Sequence, residues 1–134
     1  MITPERAQQI LTQQPFCQWW DYRLGHLGEG EAEVVLPDAG HLYRPGGYIH
    51  GAAVAGLADV AFWLALMTVA GEQQMALTLN MSSNFLRGAV GELRAVGRVM
   101  RHGRRVVYGQ AHTYDRGKQL VAHHTLTYLL PSSA

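Results

Sequence analysis

This chain of 134 residues holds a single cysteine, so it cannot close an internal disulfide, and Cys17 points to a reducing, cytoplasmic compartment. Charge is sparse and nearly balanced: 16% of residues are charged and the formal net charge is +1. A dedicated nucleic-acid binder needs a strongly basic face, so no nucleic-acid partner is expected. The first residues, Met1-Ile2-Thr3-Pro4-Glu5-Arg6, lack the basic-then-apolar order of a secretion signal. Five prolines and fifteen glycines are too scattered for a collagen-like or low-complexity chain. Familiar catalytic signatures are missing too. There is no Gly-x-Ser-x-Gly elbow, no phosphate loop ending in Gly-Lys-Ser/Thr, and no Gly-x-Gly-x-x-Gly. None of the seven histidines stands in a His-x-x-x-His or His-Glu-x-x-His spacing, so neither a metal nor a cofactor is expected.

What the chain does have is apolar surface. At 48% hydrophobic residues it can build one core, and no linker or repeat divides it, which predicts one domain over residues 1–134. The longest apolar run, Gly51 to Ala70, carries one charge and has the length of a membrane span. Nine of its twenty residues are Ala or Gly, and its flanks lack clustered Lys and Arg. Asp59 near its middle would be costly in lipid. The run therefore predicts a buried helix, not a membrane anchor.

Other elements follow from periodicity. Thr3 as N-cap, Pro4 at the first position and Ala7, Ile10 and Leu11 at helical spacing predict a short helix to about Gln14. Phe16, Trp19, Trp20 and Tyr22 form an aromatic cluster suited to core or interface, and Cys17 reads as a buried thiol. Glu29 to Leu36 alternates as a half-buried strand, and the Gly-rich stretch from Ala39 to Ile49 reads as a loop. Four strands follow, over Met75–Leu86, Glu92–Arg101, Arg104–Tyr114 and Gln119–Leu130, with Asp115-Arg116-Gly117-Lys118 as a hairpin turn. A helix apolar on nearly every side must be surrounded by protein. The expected fold is α+β, with an antiparallel sheet curled around one long helix.

Two features carry chemistry. Asp59 lies among Leu57, Ala58, Val60, Ala61 and Phe62, where burial suits a general base or nucleophile; a core Asp held by a hydrogen bond fits the same residues. Gly46-Gly47-Tyr48-Ile49-His50-Gly51 places free backbone N–H groups at a positive helix end, able to polarise a carbonyl oxygen; a glycine turn with a capping His50 fits the same residues.

Gly47-x-x-His50-Gly51 followed by Leu57-Ala58-Asp59 resembles the hotdog-fold acyl-CoA thioesterases of the phenylacetate-pathway (PaaI-like) type. Asn84-Phe85-Leu86-Arg87, Gly103-Arg104-Arg105 and Leu120-Val121-Ala122 are also similar to that family, and the likeness runs over roughly residues 29 to 130. The resemblance implies a hotdog fold, with a five- to six-stranded antiparallel sheet around the central helix, and hydrolysis of an acyl-CoA to acid and free CoA. It makes Asp59 the catalytic carboxylate and Gly51 N–H the carbonyl polariser, with His50 shaping the turn. CoA is then part of the substrate. The resemblance also implies a homo-oligomer, a dimer or a dimer of dimers, with sites at the dimer interface. Arg44 stands where the family usually has Asn, and Ala52 where it usually has Gly.

For substrate contacts, Arg44, Gly47 and Asn84 follow from these motifs, while Tyr48, Phe62 and Trp63 are candidates for an acyl pocket. Arg98, Arg101, Arg104 and Arg105 could meet the CoA phosphates or form a solvated hairpin. Geometry points to shared sites independently: Gly51 and Asp59 lie about 12 Å apart along one helix, too far for joint action on one carbonyl. A hotdog hydratase or dehydratase, or a non-catalytic acyl-CoA binder, are the rival activities.

Overall fold

In the computed structural model, residues 1–131 are described; residues 132–134, part of the expected domain, lie outside them. Thr3 caps α1 (Pro4–Gln13) as expected, its Oγ1 accepting from Arg6 N–H at 3.1 Å, and Ala7, Ile10 and Leu11 form the buried face. The aromatic cluster turns out to be a second helix, α2 (Pro15–Trp20), ended by Asp21 in the left-handed region at φ 58°. It does not act as one unit. Tyr22 is buried, whereas Phe16 and Trp19 keep 49% and 64% of their surface exposed. Cys17 is fully enclosed, and burial pushes its thiol up to about 12, which leaves it inert at neutral pH.

β1 (Arg23–Gly28), which no alternation announces, pairs antiparallel with β2 (Glu31–Leu36). β2 alternates as expected, with Ala32, Val34 and Leu36 inward. The expected loop contains a two-residue hairpin, β3 (Tyr43–Arg44) and β4 (Tyr48–Ile49), turned by Gly46 and Gly47 at φ 102° and 84°. These left-handed conformations favour glycine. The long helix α3 (Gly51–Ala70) follows, and then β5 (Leu77–Phe85), β6 (Leu93–His102), β7 (Val106–Tyr114) and β8 (Leu120–Leu129). Asp115 carries the last hairpin: its backbone accepts from Lys118 N–H and its carboxylate from Gln119 N–H.

Six strands make one antiparallel sheet in the order β1-β2-β6-β7-β8-β5, curled around α3. From Leu57 to Thr68 every residue of α3 is buried except Asp59, which is half-buried. The helix has the length and hydropathy of a membrane span, but 72% of its most apolar window is buried inside the domain. It is the core helix. Gly97 on β6 permits the close approach: a Cβ there would sit 2.7 Å from the backbone of Ala61 and Phe62.

β5 does not alternate between a buried and an exposed face. Most of its residues are exposed on both faces, because it is a sheet edge with one neighbour, β8, and little helix above it. The register shifts between Thr78 and Asn80, and Thr78, though exposed, pairs with Tyr128 on β8. Of the adjacent histidines on β8, His123 faces outward and bonds Gln110, while His124 faces the core with no exposed surface.

His124 Nδ1 lies 2.7 Å from Ser83 Oγ and Nε2 lies 3.2 Å from Thr113 Oγ1. A neutral ring satisfies both hydroxyls, donating to one and accepting from the other. Burial, reinforced by His123 and His112, lowers the His124 pKa to about 4. A histidine depressed in the folded state stabilises the fold above its unfolded pKa of about 6.5, and that stability is lost as pH falls toward 4. The expected loss is about 3 kcal/mol between pH 6.5 and 4. Urea unfolding at intervals across that range should show wild type losing stability faster than His124→Gln. Parallel curves would remove His124 as the cause.

Candidate active site

The apolar course of α3 leaves Asp59 as its one charged side chain, and two hydroxyls from distant strands meet it. Tyr128 Oη on β8 donates to Asp59 Oδ1 at 2.6 Å, and Thr78 Oγ1 on β5 donates to the same oxygen at 2.9 Å. Oδ2 has no hydrogen-bond partner among the described residues, so one oxygen is clamped and the other is open for chemistry. Burial, with Asp59 beside it, raises the Tyr128 pKa well above the usual tyrosine range, so the phenol keeps its proton as donor. The carboxylate opens on a cavity of about 250 Å³, walled by Phe16, Val60, Trp63, Leu77 and Tyr128.

The start of α3 faces a second cavity, of about 370 Å³. His50 occupies the N-cap position, yet its side chain makes no capping bond. The imidazole is exposed, and His50 shapes the turn through its backbone: its N–H donates to Leu42 C=O at 2.7 Å, and its carbonyl accepts from Ala53 and Val54. Gly51 N–H, without a partner among the described residues, lies in the lining of this cavity. Arg44, Tyr48, Phe85 and Arg87 line it as well, and no carboxylate does. Neither guanidinium has an ion-pair or hydrogen-bond partner among the described residues, which makes this cavity electropositive.

The predicted residues thus divide into groups. Gly51, Arg44 and Tyr48 come together at one cavity, and Asp59 and Trp63 at the other. Gly47 serves the β3–β4 turn. Phe62 is fully buried core. Asn84 pairs directly with the outward-facing His123, so a single chain places it on the outer sheet face, apart from both cavities. Arg104 and Arg105 are exposed at the β6–β7 turn and line neither cavity; Arg105 Nε donates to Leu130 C=O at 3.4 Å. The arginine cluster is split, because Arg98 is paired with Glu31 on β2. Among the described residues no three His, Cys, Asp or Glu side chains converge as metal ligands would.

The sequence did not point to Thr78 or Tyr128. They lie 19 and 69 positions from Asp59, and only sheet pairing brings them to it.

Comparison with known proteins agrees with this architecture. Residues 46–122 match the family model described as the thioesterase superfamily. The chain belongs to the thioesterase superfamily. The "Putative esterase" of Thermoplasma volcanium is 30% identical over 106 residues, covering 78% of this chain and 79% of that protein. The structure of a conserved protein from Pseudomonas aeruginosa superposes with a TM-score of 0.84 at 34% identity, covering 92% and 98% of the two chains. The PaaI protein of the E. coli phenylacetic acid degradation operon shares the fold, with a TM-score of 0.85 at 17% identity over 97% and 94%. The family match contains Gly51, Asp59 and Thr78; Phe16 and Tyr128 lie outside it.

In a thioesterase-superfamily protein, the clamp on Asp59 has a measurable consequence. Asp59→Asn should lower thioester hydrolysis by about a hundredfold or more, since the amide is neither basic nor nucleophilic. Tyr128→Phe should lower it by about fivefold, the worth of one hydrogen bond at about 1 kcal/mol. If Tyr128 acts through Asp59, the double variant falls no further than Asp59→Asn. An additive double variant would give Tyr128 a role of its own.

Proposed function

We propose that this protein is an acyl-CoA thioesterase whose active sites are each built from two chains. The carrying observation is that α3 touches the open edge strand near both of its ends. Gly51 sits against Phe85 at the end of β5, where a Cβ on Gly51 would be 3.8 Å from the Phe85 ring. Asp59 is bonded to Thr78 at the start of the same strand. The outer edge of β5 has no strand beside it, and Leu77, Leu79, Phe85 and Leu86 are each more than half exposed. An unpaired apolar edge is a template for another strand. Antiparallel pairing of two β5 edges about a two-fold axis sets the start of one beside the end of the other. Gly51 of one chain then approaches Asp59 of the partner subunit, which supports a homodimer with two equivalent sites. Two such dimers could associate further.

Within this reading the helix start stabilises the developing oxyanion through Gly51 N–H. Asp59 Oδ2 attacks the thioester carbonyl or takes a proton from an attacking water, and Tyr128 and Thr78 hold the carboxylate in place. The C–S bond breaks, a C–O bond from water replaces it, and the thiol leaves with a proton. The free guanidinium groups of Arg44 and Arg87, with Arg104 and Arg105 at the β6–β7 turn, suit the anionic coenzyme A portion. No separate cofactor enters the reaction.

A panel of acyl-CoAs assayed for free thiol tests the activity. A thioesterase releases thiol, a hydratase alters only the acyl double bond, and a non-catalytic binder does neither. Subunit mixing tests the shared site. Asp59→Asn and Gly51→Pro homodimers should each be inactive, Pro being tolerated at the first helical position while lacking the N–H. In a mixed dimer one site keeps both functional groups and the other carries both lesions. Random co-refolding should restore about a quarter of wild-type activity, since half the dimers are mixed and each has one intact site. No recovery despite mass-spectrometric proof of mixed dimers would place each site within one chain.

A further inference from the structure

The aromatic side chain of Phe16 has no evident place in the core. It remains 49% exposed, yet its ring lies 5.8 Å from that of Trp63, tilted by 59°, at the wall of the cavity on which Asp59 opens. The contact is held in place from outside. Arg6 on α1 grips Glu72 with two bonds of 2.6 and 3.0 Å. Gln14 between α1 and α2 donates to Gln74 at 3.1 Å, and Gln74 donates to Glu72 at 2.9 Å. Gln74 itself lines the cavity. The two N-terminal helices are thus tied to the segment between α3 and β5, and α2 cannot swing away without breaking these bonds.

We propose that Phe16 is the end wall of the acyl cavity and sets the longest acyl group the enzyme accepts. This inference rests on the thioesterase reading above. Trp63, Leu77 and Phe16 share the lining of the cavity with Asp59, so an acyl chain held there would meet the Phe16 ring. Apart from Gln74, the walls away from Asp59 and its two hydroxyl donors are the apolar side chains of Phe16, Val60, Trp63, Ala76 and Leu77, which suit a hydrocarbon chain. Asp59 and Gly51 lie inside the family match and Phe16 lies outside it. Bond cleavage and length selection are therefore assigned to different parts of the chain.

The test is a kcat/KM series over straight-chain saturated acyl-CoAs from acetyl to myristoyl, for wild type, Phe16→Ala and Phe16→Trp. Phe16→Ala should move the fall-off to longer chains, each methylene that gains burial raising the long-to-short ratio about fourfold. Phe16→Trp should move it to shorter chains. A common factor across all lengths, or an unchanged fall-off, would overturn the proposal and leave Phe16 a structural contact. Calorimetric titration with S-alkyl-CoA thioethers of the same lengths gives a second readout without turnover. If affinities shift with Phe16 while wild type hydrolyses nothing, Phe16 sets length and the thioesterase reading fails. If neither rates nor affinities shift in length dependence, the Phe16 proposal fails alone.

Discussion

A twenty-residue helix with one charged side chain is unstable in water unless something wraps it, and most other features of the structure follow from that wrapping. Each large apolar side chain fully buried along α3 contributes about 1.5–3 kcal/mol, enough to make the helix–sheet contact dominate the fold. Gly97 lets the sheet come within backbone contact of Ala61 and Phe62. The sheet curls because it must follow the helix, and in curling it leaves β5 at one edge with few helix contacts of its own.

The same wrapping explains how a carboxylate is kept in this setting. Burying Asp59 without partners would be costly, and Thr78 and Tyr128 supply two donors from the strands at that edge. Both bonds fall on one oxygen. A purely structural aspartate would gain by satisfying both oxygens; one oxygen left open beside a cavity is the arrangement a base or nucleophile requires. The other end of α3 has the complementary deficit: donors without acceptors among the described residues, in a cavity lined by two arginines that are likewise unpaired among them. One helix thus holds a negative group and a positive backbone terminus too far apart to act on the same atom, at the two ends of a strand whose outer edge is unpaired.

Residues outside the family match carry a different kind of information. α1 packs on β1, where Gln8 Oε1 accepts from Leu24 N–H, and ion-pair and amide bonds fix α1 and the start of α2 beside the Asp59 cavity. In the proposed reading, the central helix and its strands carry the chemistry, while the N-terminal helices shape the space next to it.

Much of this was legible in the residues. The Ala- and Gly-rich run with a lone Asp marked α3 as a core helix, because Asp59 near its middle is costly in lipid and the rest is too apolar for a surface. Alternation marked β2, short turns between strand-like runs marked the later strands, and Asp59 and the glycine-rich start of α3 stood out as places where a functional and a structural role fit the same residues. The short helix α2, strand β1 and the β3–β4 hairpin were not legible, since six or fewer residues with mixed exposure leave no clear period. The hydroxyls that clamp Asp59 were invisible for another reason: Ser, Thr and Tyr on strands are common, and only the β5–β8 register turns Thr78 and Tyr128 toward the helix. The exposure of β5 likewise depends on strand order, which alternation does not encode. Local periodicity and helix rise are properties of consecutive residues, so the sequence determined the helix, its carboxylate and their spacing from Gly51. Which side chains meet that carboxylate, which cavity it opens on and which strand is left at the edge depend on pairings across the sheet, and only the tertiary structure decided them.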